Sequence, residues 1–313
     1  MKAAILCIGV LLSVGACKKG SGGGGGGGSS WLVGASGMMV NVQTNGAATG
    51  YKPASTETLN AIACRSGGEA FVVGTHGTLL YTSNAGASWQ PQAVPTTADL
   101  RAVATQDEGP VFVAGNGVFL VSTDTGAHWT QLSDATTSFR AVAAAQEGET
   151  VLAVASDGTL FSFQNNQLVK RGVFAGARAV AVSPDGLTAI LAGDNLLARS
   201  SDAGQTWSAL ASPESVVYDD VRLDPNGQSI AVGTGGAIAH VAVDGNVVMQ
   251  HIGVADLHTV HIAEAGEGAD GVGVAAGESG AVWITQDGGW TWRPGPNAGN
   301  TVFGADQIGD GHR

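Results

Sequence analysis

The chain has 313 residues and a net charge of −12, with 26 acidic and 14 basic side chains. Charged residues make up only 13% of the sequence, about half the share usual in soluble domains, while hydrophobic residues reach 44% and glycines number 49. The absence of a lysine or arginine cluster argues against nucleic acid as a partner, because phosphates need such a cluster. The length fits one large β domain or two ordinary ones.

The N-terminal segment has the pattern of a secretion signal. Lys2 supplies a short positive region, and residues 3–12 form an apolar run that is too short to span a bilayer as a mature helix. The run ends in VGAC, residues 14–17, which resembles a bacterial lipobox. That resemblance implies a signal peptide over residues 1–16 and a lipid on Cys17. An ordinary secreted protein cut near Ala16 is the alternative.

The next segment predicts a lipid-anchored tether. Lys18 stands where an aspartate would signal inner-membrane retention in Gram-negative lipoproteins, so we expect an outer-membrane address and anchoring through several acyl chains on Cys17. Residues 17–30 carry the lipid and a Gly/Ser-rich spacer of roughly 20 Å. Cys7 leaves with the signal and Cys64 then has no cysteine partner, so we expect no disulfide within one mature chain.

From residue 31 onward, a hairpin pattern recurs about every forty residues. Each copy consists of two apolar strands around a turn of glycine and polar residues. The seven copies begin at Trp31, Phe71, Val111, Val151, Ala189, Ser229 and Val272. A third strand precedes six of them, starting at Leu59, Leu100, Phe139, Ala177, Val217 and Leu257. A short fourth segment completes each repeat, so residues 31–313 are predicted to form an all-β, seven-bladed β-propeller of four-stranded antiparallel blades.

The two ends of this region are predicted to meet. The first repeat lacks its innermost strand, and the chain ends with an additional apolar segment, Thr301 to Ile308. Pairing of the two would complete the first blade and remove open sheet edges. We therefore expect a monomeric propeller that is closed by its C-terminal strand.

An eight-residue motif that ends in tryptophan occurs four times between the third and fourth strands. It reads TSNAGASW (82–89), STDTGAHW (122–129), SSDAGQTW (200–207) and TQDGGWTW (285–292). Its short polar side chains can accept bonds from nearby backbone N–H groups, its glycine can adopt a positive φ, and its tryptophan can pack between blades. The residues predicted to build these structural turns are Asn84, Gly86, Trp89, Asp124, Gly126, Trp129, Asp202, Gly204, Trp207, Asp287, Gly289 and Trp292.

The motif resembles the Asp-box, also called the bacterial neuraminidase repeat. Together with the spacing of the repeats, it makes residues 31–313 similar to the photosystem II stability/assembly factor family of seven-bladed propellers. The fourth and sixth repeats have lost the box and keep only SFQNN (162–166) and VDGN (243–246), and the first keeps TNG (44–46). Such losses fit a scaffold, and assembly-factor-like propellers also occur in bacteria without photosystems.

Sialidases also carry Asp-boxes, so a sialidase-like or other carbohydrate-active enzyme is the alternative. These enzymes use three arginines, a Tyr/Glu nucleophile pair and an aspartate acid/base. Three arginines do occupy equivalent positions, but the three tyrosines read as strand or packing residues: Tyr51, Tyr81 and Tyr218. The histidines are scattered and calcium-loop spacings are absent. We expect no catalytic residue, cofactor or metal.

The remaining candidate is a binding surface at one mouth of the propeller channel. In such propellers the innermost strands begin at one face, while the Asp-boxes lie on the other. The predicted inner ring is Asn60, Arg101, Arg140, Arg178, Asp219 and His258. The predicted outer ring is Ser36, His76, Asn116, Asp157, Asp194, Thr234 and Glu278.

Arginine binds carboxylates through paired hydrogen bonds, so the expected partner of this surface is a protein or an acidic peptide. Ordinary rim residues that pair with acids such as Asp99 are the alternative. The sequence as a whole predicts a non-enzymatic, lipid-anchored scaffold in the bacterial cell envelope. A purely structural envelope component is the third possibility.

Overall fold

The computed structural model describes residues 29–43, 45–53, 55–107, 109–132, 136–224, 226–262 and 271–306. Cys17, the predicted signal peptide, most of the tether and Thr44 lie outside the described residues. Across these ranges, 28 strands form seven four-stranded antiparallel sheets, which confirms the predicted all-β propeller. No helix in this part of the chain is long and apolar enough to cross a membrane.

The strands follow one another blade by blade. Blade one contains β1 (Ser29–Gly34), β2 (Met38–Gln43), β3 (Ala48–Tyr51) and the C-terminal β28 (Val302–Asp306). Blade two contains β4 (Leu59–Arg65), β5 (Glu69–Gly74), β6 (Leu79–Thr82) and β7 (Gln90–Pro91). Blade three contains β8 (Leu100–Thr105), β9 (Val111–Gly115), β10 (Val118–Ser122) and β11 (Thr130–Gln131). Blade four contains β12 (Phe139–Ala144), β13 (Val151–Ala155), β14 (Thr159–Gln164) and β15 (Gln167–Val173).

The last three blades repeat this order. Blade five contains β16 (Ala177–Val182), β17 (Ala189–Gly193), β18 (Leu196–Ser200) and β19 (Ser208–Ala209). Blade six contains β20 (Tyr218–Leu223), β21 (Ser229–Gly233), β22 (Ala237–Val241) and β23 (Val247–His251). Blade seven contains β24 (Leu257–Ile262), β25 (Gly273–Gly277), β26 (Val282–Thr285) and β27 (Arg293–Pro294). Short 3-10 turns lie at Ala35–Gly37, Ser66–Gly68, Thr75–Gly77, Thr234–Gly236 and Glu278–Gly280.

The C-terminal strand closes the ring as predicted. β28 pairs antiparallel with β1, so that Trp31 lies opposite Asp306. It also contacts β4 of blade two and β24 of blade seven, and every other innermost strand likewise contacts its two neighbours. Ser29 and Ser30, which the sequence places at the end of the tether, already belong to β1 and pair with β2.

The core lies between the innermost strands of neighbouring blades. Every residue of β4 is buried, whereas both residues of the outer strand β7 are exposed. A glycine ends the second strand in six of the seven blades, with Ala155 in its place in blade four, and it permits close packing at this point. A Cβ atom on Gly115, for example, would collide with the carbonyl oxygen of Asp99. The glycine therefore lets the second strand reach the backbone that leads into the first.

Buried polar side chains join the innermost strands where the ring closes. Asp306 on β28 accepts a hydrogen bond of 2.8 Å from the Cys64 amide of blade two. Asp220 of blade six accepts one of 2.9 Å from the Val260 amide of blade seven, and burial raises the pKa of this carboxyl to about 7. Arg222 donates to carbonyl groups on β24 and β28. These contacts connect both ends of the chain through hydrogen bonds as well as apolar packing.

Candidate functional site

Each innermost strand carries a β-bulge at its second residue, where the strand leaves the channel mouth. In β8, Leu100 pairs with Gly115 and Ala102 pairs with Ala114, which leaves Arg101 as the additional residue. A bulge takes its residue out of the ladder and redirects the side chain. The residues at this position, which we call the bulge ring, are Asn60, Arg101, Arg140, Arg178, Asp219, His258 and Phe303.

The bulge ring contains all six residues of the predicted inner ring and one that the prediction missed. Phe303 belongs to β28, at the other end of the chain from the rest of blade one. The sequence does indicate that Phe303 belongs to this ring, because Val302, Phe303 and Gly304 align with Leu100 and the two residues after it. Phe303 lies against His258, with 5.8 Å between the ring centroids.

One arginine of the ring is neutralised within the protein. Arg178 Nε donates to Asp194 Oδ1 at 2.5 Å, and its NH1 donates to Asp219 Oδ1 at 3.2 Å. The other oxygen of Asp219 lies 2.9 Å from His258 Nδ1. The side chains of Asp219 and His258 are only 8% and 6% exposed. The ring over blades five to seven is therefore a self-contained network in which Arg178 pairs with acidic side chains and Asp219 also contacts His258.

Arg101 and Arg140 have different surroundings from those of Arg178. Both are half-buried, and neither guanidinium makes a hydrogen bond or ion pair within the described parts of the chain. The Nε atom of Arg140 is buried without a hydrogen-bond partner. Burial lowers the pKa of Arg101, and the adjacent charge of Arg140 lowers it further. The pKa of Arg140 is also lowered, first by burial and then by the charge of Arg178. Within the described part of the chain, two neighbouring cations thus lie at the mouth without a counter-charge in contact.

Asp99 does not supply that counter-charge by direct pairing. Its oxygens accept hydrogen bonds from the backbone N–H of His76 at 3.1 Å and from the side chain of Asn116 at 3.3 Å. Among the described residues, no ion pair forms between Asp99 and Arg101. Asn60 is also occupied, because its buried amide donates to the carbonyl of residue 100 at 2.7 Å. Asn60 therefore holds blades two and three together and is closed to a partner.

The predicted outer ring lies in the turns around the mouth, although its members are not equivalent to one another. Ser36 and His76 occupy the second turn position, where φ is 58° and 53°. The matching residues in the last three blades are Asn195, Gly235 and Ser279, each one residue after the predicted Asp194, Thr234 and Glu278. His76 Nδ1 lies 2.7 Å from Glu57 Oε2, and this hydrogen bond raises the pKa of His76.

The Asp-boxes lie on the opposite face, at the ends of the third strands. Ser200 Oγ accepts a bond of 2.9 Å from the Gly204 amide, and Asp202 Oδ1 accepts one of 2.8 Å from the Thr206 amide. Hydrogen bonds from the Thr206 side chain and backbone lower the pKa of Asp202 to about 2. Asn84 makes the same contact in the first box, at 2.9 Å from the amide of residue 88. In these boxes, the polar side chains thus accept hydrogen bonds from backbone N–H groups of the same turn.

A tyrosine–glutamate pair does occur, but it lies at the Asp-box face, away from the arginines. Tyr81 donates to Glu69, whose other oxygen lies 2.5 Å from Arg65 Nε. Burial, followed by the hydrogen bond to Glu69, raises the pKa of Tyr81 to about 12, opposite to what a nucleophile requires. Arg65 also donates to Thr125 of the next box, so the cluster joins two blades. In the described ranges, no three His, Cys, Asp or Glu side chains are grouped to hold a metal.

Seven radial four-stranded blades, Asp-box turns on one face and a ring of bulged polar residues on the other define an Asp-box β-propeller with a charged channel mouth. The chain belongs to the family described as photosynthesis system II assembly factor YCF48, whose sequence model matches residues 27–256.

Two solved structures of that family show the same fold. The first, described as YCF48 bound to D1 peptide, is 20% identical, with a TM-score of 0.60 over 76% of this chain and 81% of that one. The second, YCF48 from Cyanidioschyzon merolae, is 18% identical, with a TM-score of 0.61 over 78% of this chain and 87% of that one. A search of curated proteins found no match.

Proposed function

We propose that this protein is a non-enzymatic assembly scaffold of the bacterial cell envelope, and that its channel mouth binds a carboxylate of an acidic peptide or protein terminus. The observation that carries the proposal is the pair Arg101 and Arg140, two adjacent half-buried cations with no ion pair among the described residues.

A carboxylate is the group that best relieves this arrangement. Two guanidinium groups that repel each other in a partly desolvated site are stabilised by an anion placed between them. Such an anion would also supply an acceptor for the unpartnered Nε of Arg140. Arg178 contributes less, because Asp194 and Asp219 already accept its hydrogen bonds. The first contacts of a partner are therefore assigned to Arg101 and Arg140.

The family supports a peptide partner. One of its members, 20% identical to this chain, has been solved with a bound D1 peptide. Catalysis has less support, because the Tyr81–Glu69 pair is on the face opposite the arginines and the pKa of Tyr81 is raised. For this chain we therefore propose recognition without a chemical step.

A lipid on Cys17 would leave the mouth accessible. β1 starts at the Asp-box face and ends at Gly34, directly before a turn of the mouth face. A tether that enters β1 at Ser29 is therefore joined to the face opposite the arginines. The VGAC sequence supports lipidation at this cysteine, and Lys18 directly after it supports an outer-membrane location for the propeller.

Fluorescence anisotropy tests the binding step, with an aspartate-rich peptide that has a free C-terminal carboxylate as the probe. We expect saturable binding to the parent protein and a loss of about 2–5 kcal/mol in R101A or R140A, as for truncation of a desolvated charge pair. Arg293→Ala is the matched control, since it removes an exposed arginine next to the blade-seven Asp-box. A triple variant of Arg101, Arg140 and Arg178 that binds as tightly as the parent would overturn the proposed site.

Cell fractionation tests the location. Cys17→Ser should move the mature protein from the membrane fraction to the soluble periplasmic or secreted fraction, because the acyl chains need the thiol. Mature C17S protein that still sediments with membranes would contradict lipid anchoring. A pull-down from solubilised envelopes, with the tethered protein as bait, then identifies the natural partner.

A further inference from the structure

A cavity of 580 Å³ opens on the Asp-box face and is bounded by blades three, four and five. Blade three contributes Gln106 and Phe112, blade four contributes Val151 and its outer hairpin, and blade five contributes Gln205 of its Asp-box. Its volume lies within the range of about 300–1,000 Å³ that is typical of small-molecule sites. We call it the blade-four cavity.

The cavity lies beside the turn where blade four has no Asp-box. Where a box is present, it packs against the preceding blade: Gly86 lies against Trp31, and a Cβ atom on Gly204 would lie 3.0 Å from Leu152. In blade four the box is replaced by a two-residue turn, Asn165 and Asn166, with φ of 49° and 60°. The space at the junction with blade three is left open.

Blade six also lacks a box, and there a leucine side chain packs beneath the turn. A Cβ atom on Gly245 would lie 3.1 Å from a methyl group of Leu210, so this leucine packs directly under the turn. Met249 packs against the same apolar cluster. The shape of the space beside a turn without a box therefore also depends on the side chains that line it.

The lining has an apolar floor and a polar rim. Phe112 and Phe163 form the floor, with 5.1 Å between the centroids of their edge-on rings. The rim carries four side-chain amides, from Gln106, Gln164, Asn165 and Gln205, together with the hydroxyls of Thr150 and Ser162. Amides and hydroxyls both donate and accept hydrogen bonds, so they match a ligand whose groups do the same.

The charges of the lining balance, since it contains one arginine and one glutamate, Arg171 and Glu149. Arg171 Nε donates to Ser162 Oγ at 2.7 Å, which positions the guanidinium, and its terminal nitrogens have no hydrogen-bond partner among the described residues. Gln106 uses its amide nitrogen on two backbone carbonyls, at 2.9 and 2.7 Å, which leaves its oxygen as an acceptor. The site therefore offers donors and acceptors without a net charge.

We propose that the blade-four cavity binds a neutral mono- or disaccharide. A sugar ring has hydroxyls around its edge and C–H groups on its faces, which matches an amide-rich rim over an aromatic floor. One arginine and one glutamate give the lining no net charge, so it offers no overall attraction to an anionic or a cationic ligand. This site lies on the face opposite Arg101 and Arg140 and does not depend on the proposed peptide binding.

Saturation-transfer NMR and calorimetry on the propeller test this with a panel of glucose, galactose, mannose, N-acetylglucosamine, cellobiose, maltose and diacetylchitobiose. Glucosamine and glucuronate are the charged comparisons. We expect at least one neutral sugar to bind the parent protein better than either charged sugar. R171A should weaken that binding about tenfold, as for loss of a hydrogen bond to a charged group. Q164W, which fills the rim, should abolish it.

Two controls separate this site from the rest of the protein. V248W places the same ring on the exposed outer strand of blade six, and R101A/R140A removes the mouth cations. Both should bind the sugar like the parent, and the melting temperature of Q164W should match that of V248W. The proposal is overturned if no neutral sugar binds, if a charged sugar binds equally well, if Q164W retains binding, or if the mouth variant loses it.

Discussion

The two faces of this propeller differ in how their charged side chains are paired. On the Asp-box face, the Asp202 carboxylate receives the amide of Thr206 at 2.8 Å and its hydroxyl at 2.6 Å, all within one turn. On the mouth face, Arg101 and Arg140 lie side by side with no ion pair among the described residues. Local satisfaction stabilises the fold, whereas unpaired charge costs stability unless a partner supplies the counter-charge. The comparison therefore separates residues that hold the blades from residues that are available for binding.

The mouth is itself divided. Blades three and four present the unpaired arginines, whereas Arg178, Asp219 and His258 form a closed network over blades five to seven. The same bulge geometry thus gives its residues two environments. Which environment a bulge residue has depends on the side chain that the neighbouring blade places beside it. This division predicts that changes in the Asp-box turns alter stability, whereas changes at Arg101 and Arg140 alter peptide binding.

The largest effect is expected from opening the ring. Removal of residues 302–313 deletes β28, exposes β1 and removes the Asp306 bond to the Cys64 amide. This variant should aggregate or lose many degrees of melting temperature, because open sheet edges pair with other chains. Removal of residues 307–313 alone keeps β28 and is the matched control. Size-exclusion chromatography and thermal circular dichroism compare the two, and equal behaviour would contradict ring closure by β28.

The next effect is expected from the Asp-box tryptophans. Trp89 is buried against Trp31, with 5.7 Å between the ring centroids, so Trp89→Ala should cost about 3–5 kcal/mol of unfolding free energy. Trp207 is only partly buried against Phe174, so Trp207→Ala should cost less unfolding free energy. Trp290 is 55% exposed and serves as the control, with an expected cost below about 1 kcal/mol.

Urea unfolding measures these three values, and peptide binding by the folded protein should be unchanged throughout. Lost peptide binding at normal stability in W89A would contradict the separation of the two faces, because it would make the box part of the recognition site.

A smaller, pH-dependent effect is expected from the box carboxylates. The pKa of Asp202 is about 2 in the folded protein and 3.8 in a free side chain, so folding favours its ionised form. Its contribution is fully present above pH 4 and is lost as the pH falls through about 2. The difference in melting temperature between the parent and D202N should therefore shrink between pH 4 and pH 2. A constant difference over this range would mean that the carboxylate does not stabilise the turn through its charge.

The smallest change in stability is expected at the mouth. Arg101→Ala removes a cation that repels Arg140 and makes no ion pair among the described residues, so its melting temperature should equal or exceed that of the parent. Arg178→Ala is the contrasting variant, because it leaves the buried Asp219 without its cation. That protein should melt at a lower temperature. Similar losses in both variants would show that the two halves of the mouth do not differ.

The fold was predictable to the level of individual strands, because its signals are local. Alternating apolar residues and glycine-containing turns define each hairpin, and the Asp-box defines the turn to the fourth strand. The inner ring was also predictable, since equivalent positions in a repeat occupy equivalent places in space. Phe303 was missed although its strand was predicted to complete blade one; it is an apolar residue, and the predicted inner ring contains only polar ones.

The sequence by itself determined the number of blades, the closure by the C-terminal strand and six of the seven residues of the bulge ring. Only the tertiary structure decided that Arg178 is paired while Arg101 and Arg140 have no ion pair among the described residues, and that a cavity opens beside the turn of blade four. The physical reason is sequence distance. The Arg178–Asp219 bond joins residues 41 positions apart, and the Asp306–Cys64 bond joins residues 242 apart. Contacts of that kind depend on how neighbouring blades pack, which no local pattern specifies.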